Sequence, residues 1–370
     1  MARAQLPPHS PQLAIVFGSS WFEQSLLLGG VRSILGGTPV IGGSTAGEIT
    51  PEGPTKHSCV VLLIGSEKLV WSVGVGEGLD HAPREAGHQA AYQAAQGLQG
   101  HQRIGFLTFG DGLATRYGDV IRGMEEVLGT SSLIVGGLAG DDLHFSQTYQ
   151  YANDLVVSHA VVGVLFGGTG KLGVGIQHGF APISKSRQIT RAHANVLHEL
   201  DGQPAASVYE EYVGRELINQ MHSGGMTRQR IAYPLGIQTG ETNQWLLRNV
   251  VSVHDDGSMD CSGDIPEGSW LQLMIVSRNL ALEAARTAAL AATQSLNRVA
   301  AVILYDSVAR RKLLGERYLA MEVAAIREVV GPSVPLAGCS TYGEQAPVGV
   351  ASAGRTGVHT GSVLIVAVGT

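Results

Sequence analysis

Two stretches far apart in the chain repeat a glycine-rich turn that ends in a carboxylate. The first reads VIGGSTAGEI, residues 40–49, and the second reads LAGCSTYGEQ, residues 336–345. Both contain Gly-x-Ser-Thr-x-Gly-Glu, so Glu48 and Glu344 hold matching positions. Backbone amides in such a turn suit anionic groups, and the carboxylate suits an ammonium or guanidinium partner. A site of this kind could therefore hold both ends of an amino acid.

The C-terminal copy, residues 336–345, carries more chemically versatile groups than the N-terminal one. Tyr342 adds a ring for stacking and a phenol for hydrogen bonding, and Cys339 adds a thiol. The stretch YDSVARRKLLG upstream and the stretch HTGS downstream contribute a carboxylate, a hydroxyl, a guanidinium and an imidazole. We therefore predict a ligand site formed by Tyr342, Glu344, His359, Asp306, Ser307, Arg310 and Cys339.

The same turn also has a purely architectural interpretation. Glycines let a strand leave a sheet sharply, and a carboxylate in a turn commonly caps neighbouring amides. This interpretation is favoured for the N-terminal copies, because glycine punctuation is common. For residues 339–344 both interpretations stay open.

The turn is one part of a longer unit, strand–helix–strand–strand, that the sequence writes three times. Short apolar runs begin the three copies at 13–20, 103–112 and 300–307. Helical stretches follow at about 22–35, 116–128 and 312–330. The middle turn reads GGLAGDD, one residue shorter, which sets Asp141 against Glu48 and Glu344. If the copies pack around a shared centre, these three carboxylates approach one another.

A histidine heads the closing apolar run of each copy, at His57, His159 and His359. The repetition favours a structural role for His57 and His159, in which the ring ties the start of a strand to a carbonyl. His359 stays a site candidate because it belongs to the same copy as Tyr342 and Glu344.

These patterns predict an α/β protein whose mixed sheets are flanked by helices. A strand, a helix and a second strand joined by short links favour a parallel pair. We expect two domains, 12–199 with two copies of the unit and 200–370 with the third. The second domain also contains several further strands and an alanine-rich helix at about 279–297.

Composition narrows the class of protein. The chain has 370 residues, a net charge of −6 and 15% charged residues, and no basic stripe, so nucleic acid is not an expected partner. Three widely spaced cysteines favour a reducing compartment over a disulfide framework. The N-terminus has no apolar core of a signal peptide, and the apolar runs are short. We expect a cytoplasmic protein that does not enter a membrane.

The ordered set of motifs resembles the FIST family (F-box and intracellular signal transduction domains). VIGGSTAGEI, GFLTFGDGL and ELDGQPAASVYEEYVG resemble its N-terminal half. YPLGIQ, DGSMDCSGDIPEG, GCSTYGEQAP and HTGSVLIVAV resemble its C-terminal half. The resemblance covers about residues 13–368 and implies a sensory protein that binds a small ligand.

The resemblance also implies a mode of action. Some stand-alone bacterial members bind haem, sense nitric oxide and regulate a histidine kinase or a cyclic-di-GMP enzyme (diguanylate cyclase or phosphodiesterase). Other members were proposed to bind amino acids. A haem would need an axial imidazole in an apolar pocket, and the candidates are His359, His178 and His222. Arginines that could hold propionates or an amino-acid carboxylate are Arg187, Arg191, Arg310 and Arg311. A homodimer stays open.

One departure from the family pattern concerns a cysteine. Many members have Asp-Cys followed by an arginine, whereas this chain has Asp306, Ser307 and Arg310. Ser307 or Cys339 could in principle serve an uncharacterised enzyme as nucleophile. The chain lacks the Gly-x-Ser-x-Gly, P-loop and His-Glu-x-x-His patterns. We therefore expect a non-catalytic protein.

Overall fold

The computed structural model describes residues 11–98, 100–221, 231–239, 244–348 and 355–370. Its helices are α1 (Gln24–Leu35), α2 (Pro83–Gln96), α3 (Tyr117–Leu128), α4 (Ala205–Val213), α5 (Arg215–Met221), α6 (Arg278–Thr293), α7 (Val308–Leu314) and α8 (Glu316–Val330). Its strands are β1 (Leu13–Ser19), β2 (Val40–Thr45), β3 (Glu48–Thr50), β4 (Gly53–Thr55), β5 (Cys59–Ile64), β6 (Leu69–Glu77), β7 (Arg103–Gly110), β8 (Ile134–Leu138), β9 (Gln150–Ala152), β10 (Leu155–Val157), β11 (Ala160–Gly168), β12 (Lys171–Gln177), β13 (Phe180–Pro182), β14 (Arg187–His193), β15 (Val196–Leu200), β16 (Gln203–Pro204), β17 (Leu235–Thr239), β18 (Gln244–Arg248), β19 (Val250–Val253), β20 (Met259–Cys261), β21 (Trp270–Val276), β22 (Val299–Ser307), β23 (Leu336–Thr341), β24 (Glu344–Pro347), β25 (Thr356–His359) and β26 (Val363–Gly369).

Three sheets share one arrangement of strands. In each, a central strand pairs in parallel with the strand that follows its helix and antiparallel with a later strand. The central strands are β1, β7 and β22, in the first, second and third sheets. Their parallel partners are β2, β8 and β23, and their antiparallel partners are β5, β11 and β26. The mixed α/β class expected from the sequence is confirmed.

Short hairpins are exchanged between these sheets. The hairpin β3–β4 joins the third sheet beside β23, and β9–β10 joins the first sheet beside β2. The hairpin β24–β25 joins the second sheet beside β8. Strand β6 extends the second sheet beside β11, and β12 extends the third sheet beside β26. The regions 12–199 and 200–370 therefore both contribute strands to the second and third sheets.

The fourth sheet lies between β12 and α6 in the chain. It contains β13 to β21 and encloses its own core against α4 and α5, built from residues such as Leu197, Tyr209 and Met259. The helix α6 then returns to the third sheet, where Ala288 and Ala292 pack on Gly175 and Gly173. The helix α2 packs on β6 of the second sheet in the same way.

The inner faces of the three main sheets enclose a common core. Near its centre, three aromatic residues from equivalent positions of the central strands contact one another. Phe17 lies 6.0 Å from Phe109 and 5.9 Å from Tyr305, measured between ring centroids, and Phe109 lies 6.3 Å from Tyr305. Because each ring contacts the rings from the other two central strands, the three sheets pack together as one body.

The predicted helix at 312–330 forms as two helices. Helix α7 begins earlier, at Val308, and Gly315 separates it from α8 with a φ of 85°. A residue with a side chain rarely adopts this backbone conformation, so glycine turns the chain here. No helix of the described residues combines the length and the apolar character that crossing a bilayer requires.

Gly42 shows why the repeated turn needs its first glycine. Its φ is 148°, and a Cβ built on it would lie 1.8 Å from the backbone oxygen of Val16 on β1. The equivalent Gly136 has a φ of 155° and faces Thr108 in the same way. A side chain at either position would push apart a parallel strand pair.

We expect Gly42→Ala to lower the free energy of unfolding by roughly 3 kcal/mol or more, because both the backbone conformation and the strand contact oppose a Cβ. Denaturant unfolding measures this change. Gly29→Ala is the matched control, because Gly29 is helical with nothing within 4 Å of a Cβ, and alanine there should be neutral or stabilising by about 1 kcal/mol. Equal effects of the two substitutions would contradict the expectation.

Candidate functional site

The three repeated turns form a ring at one end of the three-sheet body. Each turn donates a backbone N–H to a carbonyl of another turn. The bonds run from Ala46 to Ser340 at 3.0 Å, from Tyr342 to Leu138 at 3.1 Å and from Gly140 to Ser44 at 3.1 Å. The ring lies where the parallel strands end, which is where open α/β sheets commonly bind ligands.

The residue equivalent to Glu48 and Glu344 in the middle copy is Gln150, and the alignment with Asp141 was wrong. Glu48 pairs with Cys339, Glu344 with Gly137 and Gln150 with Gly43, at matching sheet positions. Residues 141–148 are an insertion between the turn and its hairpin strand. The sequence alone did not reveal the insertion, because its first residue, Asp141, is itself a carboxylate.

The two glutamates are buried within their own turns. Glu48 accepts hydrogen bonds from the hydroxyls of Thr45 and Ser58, both at 2.6 Å. Glu344 accepts from the hydroxyl of Thr341 at 2.7 Å and from the amide of Ser362 at 3.3 Å. Burial raises the pKa of both carboxyls, that of Glu344 well above its ordinary value. The sequence placed Glu344 in the predicted site, but its carboxyl lies beneath the surface.

Asp141 organises the inserted loop. Its carboxylate accepts from the amides of Phe145, Ser146 and Gln147 at 2.6 to 3.0 Å, and from the phenol of Tyr342. Burial opposes its ionisation, but the bond from Tyr342 and the amide bonds outweigh this effect and lower the pKa. The loop is therefore tied directly to the third copy of the turn.

The inserted loop contains a cluster of left-handed residues that are not glycine. Asp142, Leu143 and Phe145 have φ values of 55°, 70° and 53°. The amide of Leu143 donates to the Tyr342 phenol at 2.9 Å, which helps to hold this conformation. Strained backbone of this kind persists only where the surroundings enforce it, and it clusters at ligand clamps and active sites.

An aromatic surface lies beside this loop. Phe145 is 41% exposed and stacks on Tyr342 with ring centroids 4.8 Å apart. The carboxylate of Asp142 accepts from the hydroxyls of Ser19 and Ser20 at 2.8 and 2.9 Å. Nothing in the sequence singled out Phe145 or Asp142, because the insertion reads as an ordinary polar loop.

Asp306 and Arg310 meet in a fully buried ion cluster. The Arg310 guanidinium donates to Asp306 at 2.9 Å, to Glu322 and to the carbonyl of His178 at 2.5 Å. Burial, together with the Glu322 carboxylate, raises the pKa of Asp306 well above its ordinary value, against the effect of Arg310. The cluster joins β22, α7 and α8 to the end of β12. All of these bonds join groups within the protein, so the cluster holds structural elements together and does not present a group for a ligand.

Ser307 and Cys339 are buried as well. The hydroxyl of Ser307 accepts from the amide of Gly361 at 3.0 Å, and burial raises the pKa of the Cys339 thiol well above its ordinary value. A thiol in this environment stays protonated, whereas a reactive cysteine has a lowered pKa.

His359 does not head the closing strand of the third copy, as the sequence suggested. It ends β25, and Gly361 takes the position that His57 and His159 occupy in the other copies. All three residues have positive φ, at 68°, 49° and 51° respectively. Two inserted residues shift the histidine out of register, so the sequence match was misleading.

Two of the predicted haem ligands fall inside the described residues. The half-buried His359 places Nε2 3.2 Å from the carbonyl of Ala346, and His178 accepts at Nδ1 from the amide of Phe180 at 2.9 Å. Burial lowers the pKa of each to about 4, with Arg248 adding to the effect at His359. His222 lies outside the described residues.

The other predicted arginine anchors already have acidic or carbonyl partners. Arg187 pairs with Asp201 and Glu211, and Arg191 pairs with Glu199. Arg311 donates to the carbonyls of Ala46 and Thr55, at 3.3 and 3.1 Å, and fills the space that Gly47 leaves open.

A cavity of about 560 Å³ lies away from these residues, between the first turn of α2 and the length of α3 from Arg116 to Glu126. Its lining is strongly charged and includes His81, Arg84, Arg116, Asp119 and Glu126. Ion pairs join Arg84 to Glu126 and Arg116 to Asp119 across this surface. None of the predicted site residues lines it.

Removing the buried arginine should expose the dependence of the fold on the ion cluster. We expect Arg310→Met to lower the free energy of unfolding by roughly 3–5 kcal/mol at pH 7, because two carboxyls remain buried without their cation. The loss should shrink towards about pH 4.5, because protonation removes the unpaired charge. Urea unfolding at the two pH values measures both effects.

Arg286→Met is the matched control for this prediction. Arg286 forms a partly exposed pair with Glu328 at 3.2 Å, so its loss should cost less than about 1 kcal/mol. If Arg310→Met behaved like this control, the cluster would not hold the elements together.

Comparisons with known proteins give consistent family matches. Residues 12–203 match the model of the FIST N domain, and residues 205–347 match the FIST C domain. An uncharacterised protein of Methanocaldococcus jannaschii is 29% identical over 150 residues, which are 38% of this chain. The match spans 29% of that protein's own length.

Two solved structures with low similarity to this chain are cyanuric acid hydrolases. One has 9% identity and a TM-score of 0.35, with 98% of this chain and 92% of that chain covered. A second, from A. caulinodans, has 10% identity and a TM-score of 0.33, with 99% and 92% covered. At these TM-scores we draw no conclusion about fold or activity from the likeness.

Proposed function

Because the chain belongs to the FIST family, whose domains are sensory and bind small ligands, we propose that it is a non-catalytic sensor with its ligand site at the ring of turns. The site lies between the inserted loop 141–148 and Tyr342. Its ligand is an amino acid or a related small metabolite. The signal passes to a separate protein, such as a histidine kinase or a cyclic-di-GMP enzyme.

The strained loop is the observation that carries this proposal. Three residues within a four-residue stretch hold left-handed conformations that cost free energy, namely Asp142, Leu143 and Phe145. The Tyr342 phenol donates to Asp141 and accepts from the Leu143 amide, and these two bonds offset this cost and join two copies of the turn. A loop maintained in this way is preorganised for a ligand.

The chemistry of the surface suggests the ligand class. The stacked rings of Phe145 and Tyr342 offer an apolar face, and the half-buried Asp142 offers a carboxylate for an ammonium group. The hydroxyls of Ser19 and Ser20 fix that carboxylate in place. An amino acid with an apolar or aromatic side chain presents both of these features.

The buried Ser307 and Cys339 support a non-catalytic role. A nucleophile needs a base in reach or a lowered pKa, whereas Ser307 accepts from an amide and burial disfavours the Cys339 thiolate. Signalling by binding requires two conformations with different ligand affinities. The inserted loop, which contacts both the first and third copies, supplies the element that could shift.

We expect Phe145→Ala and Tyr342→Phe each to weaken ligand binding roughly 3- to 10-fold. The first removes the stacking face, and the second releases Asp141 and Leu143 from the phenol. Thermal-shift screening of amino acids and amines identifies a ligand, and calorimetry then gives its affinity for each variant.

Tyr92→Phe is the matched control, because Tyr92 is 52% exposed and stacks on His88 rather than on the inserted loop. Its affinity should equal that of the unchanged protein. A ligand whose affinity survives both Phe145→Ala and Tyr342→Phe binds elsewhere, and this location would be rejected.

Haem is a second candidate because the hydrogen bonding of His359 suits a metal ligand. In the neutral ring, the nitrogen that faces the Ala346 carbonyl carries the hydrogen, which leaves Nδ1 as the unprotonated nitrogen, and the backbone of Pro347 also contacts the ring. The lowered pKa keeps the ring neutral at pH 7. His178 fits less well, since its Nδ1 already accepts a hydrogen bond. When bound, haem would supply the centre that takes up nitric oxide.

We expect haemin added to the purified protein to give a stoichiometric Soret band that shifts on reduction and again with nitric oxide. His359→Ala should abolish the band, and His178→Ala should leave it. Visible absorption spectra measure both. A protein that stays colourless with haemin would rule out the haem candidate without affecting the amino-acid one.

A further inference from the structure

The first sheet differs from the second and third sheets at one edge. In the second and third sheets, β11 and β26 are followed outward by β6 and β12. The alanine-rich faces of α2 and α6 cover these outer strands. Within the described residues, the first sheet ends at β5 without an outer strand of this kind.

Burial reflects this difference. All residues of β26, and all of β11 except the last, are buried. In β5, by contrast, Cys59 is exposed and Val60, Val61 and Leu63 are half-buried. The edge CVVLLI contains no charge or proline, the features that usually protect an exposed edge from pairing.

The backbone of β5 is also oriented for pairing. Ser19 donates to the carbonyl of Ser58, so the alternation along the ladder directs the N–H and C=O of Val61 away from β1. At the matching edge of the second sheet, His159 accepts from Gly78 next to β6. The outward groups of β5 therefore match those that bind β6 in the second sheet.

The helix beside this edge has an open face. Helices α1 and α3 occupy equivalent positions, and Gly30 and Gly123 are the seventh residue of each. A Cβ on Gly123 would lie 1.9 Å from a backbone oxygen of α2, whereas nothing lies within 4 Å at Gly30. Leu26 on the same helix is 76% exposed. Among the described residues, therefore, none occupies beside α1 the position that α2 occupies beside α3.

We propose that this edge, formed by β5 and the Leu26–Gly30 face of α1, is a docking site for a strand–helix segment of the signalling partner. The segment adds a strand antiparallel to β5 and lays an alanine-faced helix against α1. The chain itself contains two examples of an occupant that fits, in β6 with α2 and in β12 with α6. The identity of the partner as a signalling protein rests on the proposed function.

Two other occupants fit the groove less well. Pairing β5 with β5 of a second copy would leave the two α1 helices about four strand spacings, or ~19 Å, apart. Packed helices lie only about 8–10 Å apart, so the groove would stay empty. Residues 1–10 include Pro7 and Pro8, which lack the N–H that pairing with β5 requires.

A labelled peptide with the sequence of residues 69–98, which span β6 and α2, is the probe. We expect saturable binding to the unchanged protein by fluorescence anisotropy. Gly30→Leu fills the groove without an internal clash, and Val61→Pro removes an outward N–H while leaving the pairing with β1 intact. Each should weaken binding by about 10-fold or more. Leu290→Lys, at a 58% exposed leucine of α6, should leave it unchanged.

Several outcomes would overturn the proposal. They are no saturable binding up to about 100 µM peptide, or equal affinity for the unchanged and Gly30→Leu proteins. A dimer that Gly30→Leu dissociates would assign the edge to a second copy, and tighter binding after deletion of residues 1–10 would assign it to that segment. Because the assay contains no ligand, it stays informative if Phe145→Ala abolishes or spares ligand binding.

Discussion

The fold depends on the exchange of backbone hydrogen bonds between three glycine-rich turns. Each turn ends a strand of one sheet and directs the following hairpin into a neighbouring sheet. No one of the three sheets is complete with its own segment of chain alone. Since β24 and β25 complete the second sheet, the N-terminal region needs the C-terminal region for its own pairing. This explains why the same turn recurs at such distant positions.

Buried charge reinforces this exchange. Arg310 and Arg311 are neighbours on α7 but serve different partners. Arg310 holds Asp306 of the third sheet and Glu322 of α8, and Arg311 holds carbonyls of the first turn and of β4. A buried guanidinium must find acceptors for its donors, so its position constrains several elements at once. The sequence placed Arg310 in a ligand site, but its partners are internal.

The candidate site shows how local patterns mislead at insertions. Tyr342 distinguishes the third turn, and its half-buried ring stacks on Phe145. Its partner Asp141 was matched to Glu344, whereas Gln150 holds that position. His359 was matched to His57, whereas Gly361 holds the position equivalent to His57. In both cases a residue of the expected type stood near the expected place, and only strand register could tell them apart.

The sequence by itself determined the mixed α/β class, the short apolar strands of the core, the family and the need for glycine in the turns. These properties follow from local conformational preference and from short-range periodicity. Only the tertiary structure decided which sheet each hairpin joins, which carboxylates are buried and which edge of the first sheet stays open. Those outcomes depend on how three sheets close around one core. Contacts between residues hundreds of positions apart set that closure, and no local pattern encodes it.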